Sequence, residues 1–226
     1  MSMPRDLRTK AYVLRRTNYG EADRILNLIT PEGKISVIAK AVRKEKSKLA
    51  GSVEVFSLID LNVHQGKSEF GVITSAKMVK FYDKILADLN KMELAGFVLK
   101  KISIAAEHSD NADFFKITDQ VLTATNDGFN LETVEAWFLF NLLKASGEQI
   151  NLYRDADGEE LLANEQYEWD FHEDALRKKN GGRISENEIK MMRLLTTTSL
   201  ATALKVKGTE AMMPMILNIA RGLNKL

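Results

Sequence analysis

Lysine and arginine crowd the start of this chain at a density that suits one chemistry, the holding of phosphates. The first fifty residues carry twelve Lys or Arg against five Asp or Glu, a net +7 on a chain whose total is +1. Arg15, Arg16, Lys34, Lys40, Arg43, Lys44, Lys46 and Lys48 are the candidate phosphate-binding residues. Cations in this pattern bind a polyanion by releasing its condensed counterions, and phosphate contacts of this kind carry no base code. Residues 51–84 are charge-neutral, so the remaining 142 residues carry −6. A basic head on an acidic body points to two units with different partners. Tyr12, Tyr19 and Phe56 are the candidate stacking platforms among the cations.

Other chemistries fail on spacing. Gly66-Lys67-Ser68 has the ending of a phosphate-binding loop, but the pattern needs Gly at position 61, which is Leu61. The triplet also lies between two strand-like runs and reads as a hairpin turn. Asp155-Ala156-Asp157-Gly158-Glu159-Glu160 opens like a calcium loop, yet Glu160 stands where that loop needs Gly and Gln166 where it needs a bidentate acid. A solvated acidic turn accounts for it better. His64, His108 and His172 are scattered without ligand spacing, and the chain has no cysteine, so thiolate metal sites, disulfides and a cysteine nucleophile are excluded. No Gly-x-Ser-x-Gly elbow occurs, and nothing assembles nucleophile, base and oxyanion donors. The expectation is a non-enzymatic chain with no metal and no cofactor. The N-terminal stretch is polar, and no apolar run approaches the roughly 18 residues of a membrane span. A soluble intracellular protein with no membrane partner is expected.

Residues 10–17 favour β structure, 24–30 alternate loosely, and Pro31-Glu32-Gly33-Lys34 is a turn. Ile35, Val37, Ala39 and Ala41 share one face of the third run, and Val53, Val55, Ile59, Leu61 and Val63 one face of the fourth. Phe70, Val72, Ala76 and Met78 share a parity in the fifth. Five strands joined by short turns predict a small closed or sandwiched β unit. After Tyr82 the period becomes helical. Stripes run through Leu89, Met92, Leu99 and Ile102, then Phe114, Val121 and Leu122, then Val134, Phe138 and Leu142. Ser185-Glu186-Asn187-Glu188 is a capping-box pattern, and a last helix within 209–223 must take Pro214 in its first turn or kink there. Phe114, Trp137, Phe138 and Phe140 read as core. Residues 148–183 lack a period and read as irregular and acidic. The change of period and charge divides the chain into 1–82 and 83–226.

The chain resembles the RecO family of bacterial recombination mediators. The resemblance is carried by Tyr19-Gly20-Glu21-Ala22-Asp23-Arg24-Ile25-Leu26, Thr30, Gly33-Lys34, Ala39-Lys40 and Arg43-Lys44 with Ser47 and Leu49. Phe56, Ile73-Thr74-Ser75-Ala76, the run 138–147 and Gly181-Gly182 extend it more diffusely. It implies an α+β protein: an N-terminal five-stranded OB-fold β-barrel followed by a C-terminal all-α helical domain. It also implies binding of single- and double-stranded DNA, strand annealing, and work with RecR to load RecA on strands coated by single-stranded-DNA-binding protein. That protein's C-terminal tail would be a partner of the helical domain. A bacterial, cytoplasmic, nucleoid-associated location follows from the same resemblance.

Two departures stand out. The family often has Gly where this chain has Ala41, and Ala tolerates positive φ poorly, so the basic loop is expected to take a different path. Many members carry a four-cysteine zinc site, whereas Arg154 and Asp157 occupy the first ligand pair here. Residues 148–183 would then be held by packing or stay mobile. Two alternatives share the bottom-up reading: an RNA-binding OB-fold protein, and a protein-interaction adaptor whose basic head binds an acidic partner. An undetected enzyme is a third.

Overall fold

The computed structural model describes residues 6–66, 68, 70–109 and 111–224. Arg5, counted among the cations, and Lys67, the middle of the Gly66-Lys67-Ser68 triplet, lie outside the described residues. The chain divides into two compact units, Met1–Asp127 and Gly128–Leu226.

The first unit is built on five strands: β1 (Asp6–Tyr19), β2 (Asp23–Thr30), β3 (Gly33–Ala39), β4 (Ser57–His64) and β5 (Gly71–Phe81). They form a closed barrel in the order β1-β2-β3-β5-β4, as the OB-fold resemblance implies. All pairings are antiparallel except β3 with β5, where Val37 and Ile38 meet Gly71 and Val72 in parallel. Closure removes the unpaired edges that an open sheet would present. Alternate residues such as Ala11, Val13, Leu26, Leu28, Ile59 and Leu61 point inward and fill the core.

One inward face differs from the parity expectation. In the fifth run the expected set was Phe70, Val72, Ala76 and Met78, but Gly71 and Ile73 are the buried residues of its first half. The register shifts between Asn62 and Val63, where Ser75 and Ile73 are their partners and Thr74 is extra. A bulge of one residue exchanges the two faces, so Ile73 and Ala76 both reach the core. The fourth-run set Val53, Val55, Ile59, Leu61 and Val63 does reach the core, although Val53 and Val55 precede β4, since Phe56 turns the chain at φ 60.

Three helices complete this unit: α1 (Asp83–Leu86), α2 (Leu89–Ala105) and α3 (Asp113–Asp127). The α2 stripe holds at Leu99 and Ile102, with Met92 half-buried, but misses at its start. Leu94, Val98, Leu99 and Ile102 are buried, while Leu89 is exposed. Asp88 caps α2 by accepting the Lys91 N–H. Helices α2 and α3 pack on the outside of β1, where Tyr12 is fully buried. Its hydroxyl lies 2.9 Å from that of Tyr82 and donates to Asp119 of α3. This explains why the compact unit runs past the change of period at Tyr82: a barrel strand and α3 share one buried polar network.

The second unit holds α4 (Leu131–Ala145), a hairpin of β6 (Tyr167–Asp170) and β7 (Ala175–Lys178), α5 (Glu186–Thr197), α6 (Leu200–Ala203) and α7 (Met213–Leu223). Trp137, Phe138 and Phe140 of α4 are core, as Phe114 is in the first unit. The Ser185–Glu188 capping box is formed, and Pro214 sits in the first turn of α7. The expectation of an irregular 148–183 segment in an all-α region needs correction. Tyr167 and Trp169 pair with Lys178 and Leu176, and Tyr167 also bridges to Ile184. The short strands were hidden because only alternate residues of a small exposed hairpin are apolar.

Candidate nucleic-acid interface

The basic loop begins where β3 ends. Ala41 has φ 51, so the loop keeps the left-handed turn that the expected change of path would have removed. Its N–H donates to Asp23 Oδ1 at 2.7 Å, the Arg43 N–H donates to Ala22 O at 2.9 Å, and the Lys44 N–H donates to Ala41 O at 3.1 Å. Val42, only 2% exposed, plugs the loop into the barrel core. These ties pin residues 41–44 to the β1–β2 turn, where Gly20 also takes positive φ. Lys40, Arg43, Lys44, Lys46 and Lys48 are all exposed around this anchored backbone. Five cations on a pre-organised loop lose less entropy on meeting phosphates than five on a free segment.

The other expected residues divide. Arg15 is exposed on β1. Arg16 is half-buried and paired with Glu54, so its charge is largely spent within the protein. Lys34 does not join the cluster. It opens β3 while the loop follows Ala39, about 17 Å away at the strand rise. Its side chain is 12% exposed, and its ammonium donates to Ser103 O at 2.8 Å and Glu107 Oε1 at 2.9 Å. The Lys34 hydrogen bond in turn holds the Glu107 carboxyl below the usual carboxylate range. Lys34 is thus a clamp between β3 and α2. The sequence placed it near the cluster only because it is close in number.

The candidate stacking aromatics divide similarly. Tyr12 is core, and Phe56 is half-buried at a turn. Tyr19 is 51% exposed at the loop end of β1, next to Gly20, whose carbonyl lies 3.4 Å from an Arg43 guanidinium nitrogen. Asp23 is the residue that sequence reasoning missed. Within the run 19–26 it carries no signal of its own, although an acid that opens a strand opposite a basic loop is placed to tie that loop's backbone.

Zinc does not fit the second unit. The chain has no thiolate to offer, and Arg154, at one of the implied ligand positions, donates to Gly158 O at 2.7 Å. Asp157 faces Arg177 at 3.7 Å, and Asp155 accepts the N–H groups of Asp157 and Glu159, closing the acidic turn on itself. The hairpin is held by buried Tyr167, Trp169 and Leu176 and by ion pairs such as Lys178 with Glu165 at 2.7 Å. Among the described residues no group of three or more His, Asp or Glu side chains could hold a metal ion, and no helix is long and apolar enough to cross a membrane.

Comparison with known proteins now adds to the geometry. The family model described as Recombination protein O N terminal matches residues 1–82, and that described as Recombination protein O C terminal matches residues 86–221. A DNA repair protein RecO of Dehalococcoides mccartyi is 29% identical over 218 residues, covering 92% of this chain and 85% of the relative. Another, of Alkaliphilus metalliredigens, is 31% identical over 144 residues, covering 62% and 58%. A closed five-stranded barrel with an anchored basic loop, a helical body, and two family models that together span nearly the whole chain agree: this chain belongs to the RecO family.

Proposed function

We propose that this chain is a DNA-binding recombination mediator in DNA repair. It binds single- and double-stranded DNA, anneals complementary strands, and works with RecR to load RecA on strands coated by single-stranded-DNA-binding protein. The observation that carries the DNA-binding part is the pinned loop of Lys40, Arg43, Lys44, Lys46 and Lys48, with Arg15 and the half-exposed Tyr19 on β1. Family membership supports the rest. The work is binding and positioning rather than bond chemistry: phosphates are held while base edges stay free to pair. Arg16 and Lys34 support the interface through their protein partners.

The decisive measurement is a gel-shift series over salt with single- and double-stranded DNA. If about five phosphates are neutralised on a single strand, the log–log slope is roughly −3.5, a loss of about a hundredfold between about 50 and 200 mM salt. A flat salt response would remove the phosphate-cluster reading. Competition between DNA and RNA strands of one sequence separates this function from RNA binding. Retention of an acidic protein but not of DNA would favour an adaptor.

The helical part is proposed to receive the acidic, apolar tail of single-stranded-DNA-binding protein. An open groove of about 420 Å³ is lined by Met191, Leu194, Val206 and Met212, with Lys190 and Lys207 on its rim. Lys190 is already paired with Glu186, so the tail's apolar residues must supply much of the affinity. A fluorescent tail peptide titrated against the full chain tests this. A fragment cut at 83 would strip α1–α3 from the barrel they pack on and is unsuitable.

A further inference from the structure

The barrel carries a second basic face that the loop cluster does not include. Lys10 of β1 lies directly opposite Asp60 of β4, and Asp60 directly opposite Lys77 of β5. The next outward row places Arg8 opposite Asn62, and Asn62 opposite Ser75. At normal strand spacing, Lys10 and Lys77 are about 10 Å apart across β4, and Arg8 lies about 7 Å along β1 from Lys10. Three cations therefore surround one acid. Arg8 and Asp60 are hydrogen-bonded at 3.2 Å, and the Arg8 side chain is 75% exposed. The Arg8 hydrogen bond, with the charges of Lys10 and Lys77, holds the Asp60 carboxyl below its ordinary range. The nearby Asp6 is engaged by His64 at 2.9 Å, and Asn62 and Ser75 bond each other at 2.8 Å. Lys80 is not part of this face, since its ammonium lies 4.5 Å over the Tyr82 ring.

This face is open and distant from the basic loop. The helices cover β1 at Tyr12, beyond its Arg8–Lys10 end, and the loop docks at Gly20 and Ala22 beyond its other end. From Lys10 to Tyr19 is nine residues of strand, at most about 30 Å. That is up to about three screening lengths at 0.1 M salt, so salt weakens the repulsion between two strands held at the two places.

We propose that the outer face of β1, β4 and β5 is a second phosphate-backbone site, with Arg8, Lys10 and Lys77 as its cations, and that it holds a second single strand while the loop holds the first. The proposal rests on the reading that the loop cluster binds DNA. A patch about 10 Å across spans roughly two phosphates of an extended single strand. Asp60 keeps the site weak and exchangeable, which suits a strand that must leave as a duplex.

The test uses the full chain and single strands of four nucleotides, whose extended backbone is too short to engage both places at once. At low salt the wild type binds two such strands per chain. Lys10→Gln with Lys77→Gln binds one, and anneals long complementary strands about tenfold more slowly. Arg43→Ala with Lys44→Ala also binds one. Asp60→Asn keeps two and binds the second more tightly, a gain that a misfolded protein would not show. The proposal is overturned if the wild type binds a single short strand, if the Lys10/Lys77 variant still binds two or anneals at the wild-type rate, or if Asp60→Asn fails to tighten the second. In each of those cases DNA binding by the loop survives. If the wild type binds no strand at all, the DNA-binding reading fails, and this one with it.

Discussion

Ala41→Gly should stabilise the first unit and leave DNA binding unchanged. Ala41 holds φ 51 because its N–H is drawn to Asp23 and Val42 must turn into the core. The left-handed region costs an L-residue about 1–2 kcal/mol, which Gly does not experience. Glycine gives back about 0.5–1 kcal/mol through its freer unfolded chain. The net is a gain of about 0.5–1 kcal/mol, or roughly 2–5 °C in the melting temperature of a unit this size. Because the loop already follows the glycine path, the cations stay in place and affinity for single strands should remain within about twofold. Ala41→Val should do the reverse, since a β-branched residue is a true outlier at positive φ. Far-UV circular dichroism is the right probe, because both tryptophans, Trp137 and Trp169, lie in the second unit and report on that unit alone. If Ala41→Gly melted at or below the wild type, or Ala41→Val melted unchanged, the left-handed anchor would be wrong. Weaker DNA binding by a stabilised Gly variant would mean that the loop's path, not its charge, had changed.

Other outcomes follow from single contacts. Tyr12→Phe removes the hydroxyl that bonds Asp119 and meets Tyr82, leaving a carboxylate short of a donor; a loss of about 1–3 kcal/mol is expected in a denaturant melt, and no loss would mean that the network does not tie α3 to the barrel. Gly182→Ala would place Cβ 2.4 Å from the Tyr167 carbonyl oxygen, so the β6–β7 hairpin must shift; about 1–3 kcal/mol should be lost from the second unit, visible in Trp169 fluorescence. Burial works against ionisation of Glu188, but hydrogen bonds from the Ser185 hydroxyl and N–H outweigh it and lower its pKa. A depressed carboxylate gives stability that is complete at neutral pH and is lost as pH falls through the lowered folded value. Glu188→Gln should therefore blunt the acid sensitivity of the second unit, and an acid limb equal to the wild type's would count against the capping box.

Much of this protein was legible from the chain alone. The strand-to-helix change at Tyr82, the capping box at Ser185, the helix ends at Gly128 and Gly147, and the excess of cations before residue 50 are local signals, written in residue types a few positions apart. The family's mark on residues 19–49 is local as well. Tertiary structure alone decided which cations are free. Lys34 and Lys40 look alike in the sequence, but one is held by Ser103 and Glu107 at and just beyond the end of α2, some seventy residues on, and the other is exposed. The bulge at Thr74, the core fate of Tyr12, the tie from Asp23 and the row Lys10–Asp60–Lys77 were hidden for the same reason. Each depends on which strand or helix lies alongside. Barrel closure and register set that neighbourhood between residues far apart in number, and no period within a single run encodes it.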